Sequence, residues 1–360
     1  MPLAIVNAVT STYIFGALLV VALFASLKKK EDSTILPISL SQELKGFAML
    51  AIIFAHVGYF LVNDHQFLFP LSILAGVGVD LFLFLSGFGL AVSALKKTLS
   101  PKEFYLRHLP KLYVPFWVVL AVIFTTDFVF LHITRSWQYI AESLTGFFPH
   151  ADLFQDVNSP LWYFTFILFF YLLFPILFSK KRPILSALLI YAAAKGVLLL
   201  NLPLLSNVEH LYKVHAIAFP LGVALGGLYG VYQKRREWFE RKLSAQNTLI
   251  RASYTLPFLA LFSYFAYFSG VGTPAQEYMS LFVMFLVILI FILKPFRITP
   301  LYLFGILSYE LYLIHWPLMS RYDILFHYLP AWLAMALYLP VLLGVSWCLH
   351  KVVEGVLKRG

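Results

Sequence analysis

Glu43-Leu-Lys45-Gly-Phe-Ala-Met49-Leu-Ala-Ile52-Ile-Phe-Ala-His56 opens an apolar window that runs over residues 44–62. Its length reads as a membrane-spanning helix. A separation of eleven residues is close to three helical turns. Lys45, Met49, Ile52 and His56 therefore share one stripe, with Lys45 and His56 about 16 Å apart along the axis. An ionisable group at that depth is costly to bury and marks a functional site by default. A cation near one surface, aligned with a titratable imidazole deeper in the same helix, suits a long anionic cosubstrate whose reactive end reaches inward.

The rest of the chain is of the same kind. It has 360 residues, 61% of them hydrophobic and 12% charged, with a mean hydropathy of +0.83. That balance excludes a soluble domain and indicates a polytopic membrane protein. Met1 to Thr12 carries no basic residue. It therefore lacks the n-region of a cleaved signal peptide, and the first apolar run reads as a retained span. The single cysteine, Cys348, cannot form an internal disulfide. No sustained repeat, phosphate-binding loop or zinc-ligand spacing occurs, so no metal is expected.

Apolar windows fall at 9–27, 44–62, 72–95, 112–132, 161–179, 183–202, 214–232, 250–269, 278–294, 300–318 and 331–350. The expected fold is all-α, a polytopic transmembrane helix bundle of about eleven spans. If all of them cross, one side holds 23 of the 27 basic residues. The other side holds Arg135, Lys213 and Arg321, and Lys195 lies within a span. The positive-inside rule then puts the N-terminus outside and the C-terminus in the cytoplasm. It also accounts for most of the net charge of +10 as a topology signal, which argues against nucleic acid. The loop 133–160, with Glu142, Asp152 and Asp156 beside Trp137, Phe147, Phe148 and Pro149, is expected to fold onto the outer membrane surface.

Few polar groups interrupt the spans. Asp80 lies in Gly76-Val-Gly-Val-Asp80-Leu-Phe-Leu-Phe-Leu-Ser86-Gly87-Phe88, on a stripe with Gly76, Leu83 and Gly87. A carboxylate there needs a partner, and His56 is the expected one. Such a pair fixes the imidazole tautomer and raises its basicity. The bland alternatives are a histidine satisfied by a carbonyl and an aspartate bonded to a hydroxyl. Lys195 is expected to snorkel. Arg107 and Lys111 are four apart and share a face if their segment is helical. They can hold phosphates or simply anchor lipid headgroups. Ser308, Tyr312 and His315 share a stripe that either lines a polar cavity or hydrogen-bonds between helices, with Glu310 on the opposite side.

In order along the chain these segments resemble the membrane acyltransferase 3 family, from about Gln42 to Arg359. Lys45 to His56 is similar to its basic-x10-His motif, and Gly78-Val-Asp80-Leu-Phe-Leu-Phe-Leu-Ser86-Gly-Phe88 to its next one. Phe104-x-x-Arg107 with Lys111 and Pro115, Pro160-Leu-Trp162-Tyr-Phe with Tyr171-Leu-Leu-Phe-Pro175, Ser308-Tyr-x-x-Tyr312-Leu-x-His315-Trp-Pro317, and Val353-Glu354 complete the set. The resemblance implies His56 as catalytic base, with Asp80 and Ser86 on the active-site helix. It also implies acyl-CoA as the donor substrate, acetyl-CoA by the family's usual chemistry, met by Lys45, Arg107 and Lys111. Ser86, Trp162, Tyr312 and His315 would line the site, and no cofactor would be held permanently.

The resemblance thus implies an O-acyltransferase of the bacterial inner membrane. It would move an acyl group, acetyl by family habit, from cytoplasmic acyl-CoA to a hydroxyl of a glycan or lipid-linked sugar. Membrane lipids and polysaccharide-biosynthesis proteins are the expected partners. The rival class is a proton-coupled transporter or flippase of an anionic or lipid-linked substrate. Two features depart from the family. Residues 1–41 form an extra N-terminal span and basic linker ahead of the acyltransferase domain at 42–360. Glu310 stands where the family has a small or apolar residue. The soluble domain that some relatives append after Glu354 is expected to be absent.

Overall fold

The structure, a computed structural model, describes residues 3–29, 37–97, 99–148, 159–202, 205, 207–233, 248–270 and 275–358. Residues 149–158 of the outer loop, with Asp152 and Asp156, and the basic run 234–242 lie outside the described residues. The helices are α1 (Ala8–Ala25), α2 (Ile38–Ala55), α3 (Ala75–Lys96), α4 (Pro101–Leu131) and α5 (Trp137–Thr145). There follow α6 (Trp162–Leu177), α7 (Pro183–Leu199), α8 (Glu209–His215), α9 (Ala218–Gln233) and α10 (Thr248–Ala266). The last are α11 (Gln276–Leu293), α12 (Thr299–Ile306), α13 (Ser308–Ser320), α14 (Leu325–Tyr328) and α15 (Ala331–Leu357). Strands β1 (Leu27–Lys29) and β2 (Phe296–Ile298) pair antiparallel as a short ribbon. The protein is thus all-α apart from that ribbon. Among the described residues seven helical segments are long and apolar enough to cross a membrane, and α6 and α7 are shorter apolar helices.

Two compact units divide the chain. The first comprises Met1–Ser86, Leu228–Ser308 and Asp323–Leu343, and the second Gly87–Gly227, Tyr309–Tyr322 and Gly344–Gly360. In the first unit α1 is tied in through its first half and the residues before it. Leu3 donates its N–H to Leu61 O at 2.7 Å, Leu68 donates its N–H to Thr12 Oγ1 at 2.8 Å, and the Phe15 and Phe54 rings meet edge to face at 5.6 Å. Helix α12 docks on α2 backbone to backbone. A Cβ at Gly46 would strike the Leu301 carbonyl, and one at Gly305 would strike the Gln42 carbonyl. Gly305→Val should therefore force the helices apart and cost about 1–3 kcal/mol. Gly344→Ala, with nothing within 4 Å of its Cβ, should be neutral or mildly stabilising. Thermal unfolding in lipid–detergent micelles compares the two.

In the second unit α4 begins eleven residues before the window that sequence hydropathy gives. Ser100 and Glu103 form a capping box: Glu103 donates its N–H to Ser100 Oγ at 3.3 Å and Ser100 its N–H to Glu103 Oε2 at 2.8 Å. Pro101 sits at the first helical position, where its missing N–H costs nothing. Thirty-one residues rise about 46 Å, longer than a hydrocarbon layer of roughly 30 Å, so the helix exceeds an upright crossing. Within 133–160, the described stretch Trp137–Thr145 is helical. It is held by Trp117 Nε1, which donates to Leu144 O at 2.8 Å, and by Tyr113 Oη, which donates to Thr145 O at 2.7 Å. At the far end of α4, buried Asp127 pairs with Arg321, with Arg135 at 4.0 Å and Tyr322 Oη at 2.8 Å. Burial, and the carboxylate facing it, raise the Tyr322 phenol above its ordinary pKa.

The window 300–318 is not one straight helix. It is split at Leu307 (φ −97°, ψ 14°) into α12 and α13. The carbonyl-to-glycine packing on α2 fixes the course of α12, and the chain leaves helical geometry to start α13. Thirteen residues of α13 rise about 20 Å, less than a full crossing. Lys195 meets the end of α8: its Nζ donates to Lys213 O at 3.3 Å and lies 5.7 Å from the Tyr191 ring.

Candidate active site

In the first unit α2 carries Glu43 and Lys45 and leads into His56, α3 carries Asp80, and α11 carries Ser280. Helical geometry is unbroken from Ile38 through His56, which is itself right-handed helical (φ −62°, ψ −39°). The stripe from Lys45 to His56 therefore exists as a physical row. His56 is half-buried and begins a single turn of π-helix, His56–Leu61. Such a turn inserts one extra residue into the helical repeat, re-aims the side chains beside it, and occurs often at functional sites. The Phe60 ring lies edge-on to the imidazole at 5.8 Å.

Asp80 is wholly buried, and Ser280 Oγ on α11 donates to its Oδ2 at 2.5 Å. Phe84, one turn along α3, meets Phe285 of α11 edge to face at 5.8 Å, so the same face of α3 carries both contacts. Sequence reading does not find Ser280, because nothing local links it to a carboxylate 200 residues earlier. Ser280→Val should leave a buried carboxylate short of a donor and cost about 1–3 kcal/mol, while Ser280→Thr should keep most of the stability. Equal melting temperatures for the two variants would contradict this.

At the start of α2, Glu43 and Lys294 are both buried and pair at 2.5 Å. Ile298 also donates its N–H to Glu43 Oε1 at 2.6 Å, and Lys294 Nζ donates to Phe296 O at 2.8 Å. This network anchors the ribbon beside the half-buried Lys45.

The second unit holds Trp162, Tyr312 and His315, all buried. Tyr312 Oη is engaged twice: it donates to Pro160 O at 2.9 Å and accepts from Phe164 N–H at 3.0 Å. It tethers the start of α6. His315 Nδ1 faces the carbonyls of Leu311 and Tyr312, each at 2.9 Å, so Nδ1 carries the proton and Nε2 the lone pair in the neutral ring. Trp162 stacks on His215 at 6.1 Å, and Tyr212 Oη donates to Trp162 O at 3.2 Å. Nothing in the sequence singles out His215 or Tyr212. Glu310 has a partner in His350, whose Nδ1 lies 2.6 Å from Glu310 Oε1. Arg107 and Lys111 are both exposed on α4 and share a face.

A family model described as an acyltransferase domain, acyltransferase 3, matches residues 44–351. The chain belongs to the acyltransferase 3 family. The match covers most of this acyltransferase 3 chain and includes the whole stripe from Lys45 to His56, Asp80, Ser280 and the Trp162–His315 group. Val353 and Glu354, the last segment of the resemblance, fall beyond it. No curated protein and no solved structure matches the chain. Membership makes this acyltransferase 3 protein a membrane acyltransferase in general terms.

Proposed function

We propose that the protein transfers an acyl group, acetyl by family habit, from cytoplasmic acyl-CoA to a hydroxyl of a glycan or lipid-linked sugar. The observation that carries this reading is His56. It is a half-buried imidazole at an α-to-π transition, three turns along one helix from a lysine, inside the acyltransferase match. His56 takes the proton of the acceptor hydroxyl as that oxygen attacks the thioester carbonyl. The C–O bond forms, the C–S bond breaks, and the departing CoA sulfur receives the proton. Asp80 supports the imidazolium. Lys45 is proposed to meet a donor phosphate as a charge-assisted contact. Arg107 and Lys111 are proposed as further donor contacts, and Ser86, Trp162, Tyr312 and His315 as lining residues.

We further propose eleven crossings, for which the positive-inside bias supports an N-terminus outside, and a bacterial inner membrane, as the family resemblance implies. The test is to incubate purified protein in lipid with radiolabelled acetyl-CoA and a membrane extract that supplies acceptors. Base-labile label in the extract, with matching CoA release, supports the reading. Label on the protein before the extract is added selects a two-step route through an acyl-imidazole. Movement of substrate across the membrane without CoA release would favour a proton-coupled carrier instead. The interruption at Leu307 and the ionisable groups within the spans are the features that suit that reading.

A further inference from the structure

The second unit contains a cavity of about 330 Å³ that none of the residues assigned above lines. It lies among the last two turns of α3, the first turns of α4 and the end of α6. Its wall changes character along α3, from Leu90 to Lys97, about 10 Å by the helical rise. The apolar part is aromatic. Phe104 stacks on His108 at 4.1 Å, and Phe174 stacks on Phe178 at 4.8 Å. The polar part is cationic, with Lys97, Lys180 and Lys181 all on the lining.

Two details fix that charge in place. Lys180 Nζ donates to Leu95 O at 3.0 Å, which closes the end of α3 and holds the ammonium at the cavity. Glu103 is the acid beside Lys97, but its carboxylate is already engaged by the backbone and hydroxyl of Ser100. Three lysines against one committed carboxylate leave the mouth positive. An apolar, aromatic interior with a cationic mouth is complementary to an anion joined to an apolar or flat body. Arg107 and Lys111 do not line this cavity.

We propose that this cavity binds a phosphate ester, with the phosphate held by Lys97, Lys180 and Lys181 and the body against Phe104 and Phe174. Two sources of that chemistry at a membrane surface can be told apart directly. One is the adenosine 3′,5′-bisphosphate end of CoA, and for that source the proposal rests on the acyl-CoA function. The other is the glycerophosphate of an anionic phospholipid.

The experiment uses the full-length protein in phosphatidylcholine nanodiscs with two probes, labelled adenosine 3′,5′-bisphosphate and a minor fraction of phosphatidylglycerol read by native mass spectrometry. Lys97→Gln/Lys181→Gln, at two exposed lysines, and Ala94→Trp, which fills the cavity, should each weaken binding of one probe by about tenfold or more. Lys96→Gln/Lys102→Gln removes the same charge outside the cavity and should leave binding unchanged. Loss of the bisphosphate identifies the nucleotide source, and loss of phosphatidylglycerol the lipid source. The proposal is overturned if neither probe binds the wild type, or if both lysine pairs lower binding alike. His56→Ala should keep the binding, so a failure of acyl transfer and a failure of the cavity are separable.

Discussion

His56→Ala should lower acyl transfer by about 10²–10⁴-fold, the usual contribution of a positioned general base, while the protein keeps its fold. The imidazole is half-buried at the end of a regular helix, so its removal deletes few packing contacts compared with a buried core side chain. The readout is CoA release from labelled acetyl-CoA in the presence of the acceptor extract, with melting temperature measured on the same preparation. His56→Gln is the second variant, because it keeps much of the side-chain volume and cannot act as a base near neutral pH. Both should be slow and both should melt close to wild type. Turnover within a few-fold of wild type in either one would remove His56 from the chemistry.

Glu43→Ala should be among the most destabilising single changes in the first unit, by about 3–5 kcal/mol. It deletes the carboxylate that receives Lys294 Nζ and the Ile298 N–H, and it leaves the Lys294 ammonium buried, among the described residues, with the Phe296 carbonyl and the Phe291 and Phe296 rings. Removing both charges together is milder, since an apolar pair of similar volume has no buried ion to satisfy. Glu43→Leu/Lys294→Met should therefore recover a large part of the loss. Thermal unfolding of Glu43→Leu, Lys294→Met and the double variant forms a cycle. Additive losses across that cycle would mean that the pair does not act as a unit.

The sequence carries part of this molecule plainly and conceals the rest for physical reasons. Hydropathy and helical period bring out what lies within one helix: the stripe from Lys45 to His56, the buried Asp80, and the shared face of Arg107 and Lys111. They do not show where the regular repeat gives way. The π-helical turn at His56–Leu61 and the break at Leu307 both occur inside apolar runs of ordinary composition. Nor do they pair residues that are distant along the chain. Ser280 with Asp80, Lys294 with Glu43 and His350 with Glu310 each join helices whose local patterns are complete without them. Glu310 looks out of place in a family pattern until His350 is beside it. The Ser100–Glu103 capping box is readable, since its signature is four residues long, but a hydropathy window passes over it.

The ribbon of β1 and β2 imposes an order on biogenesis. Glu43 emerges from the ribosome 251 residues before Lys294, and Leu27–Lys29 must wait still longer for Phe296–Ile298. At roughly 5–20 residues per second that interval is on the order of 10–50 s. Throughout it α2 is already made, with an acidic side chain and a strand edge that have no counterpart yet. The first unit is therefore completed late in synthesis, and its early helices are natural clients for whatever insertion machinery shelters polar groups in the bilayer.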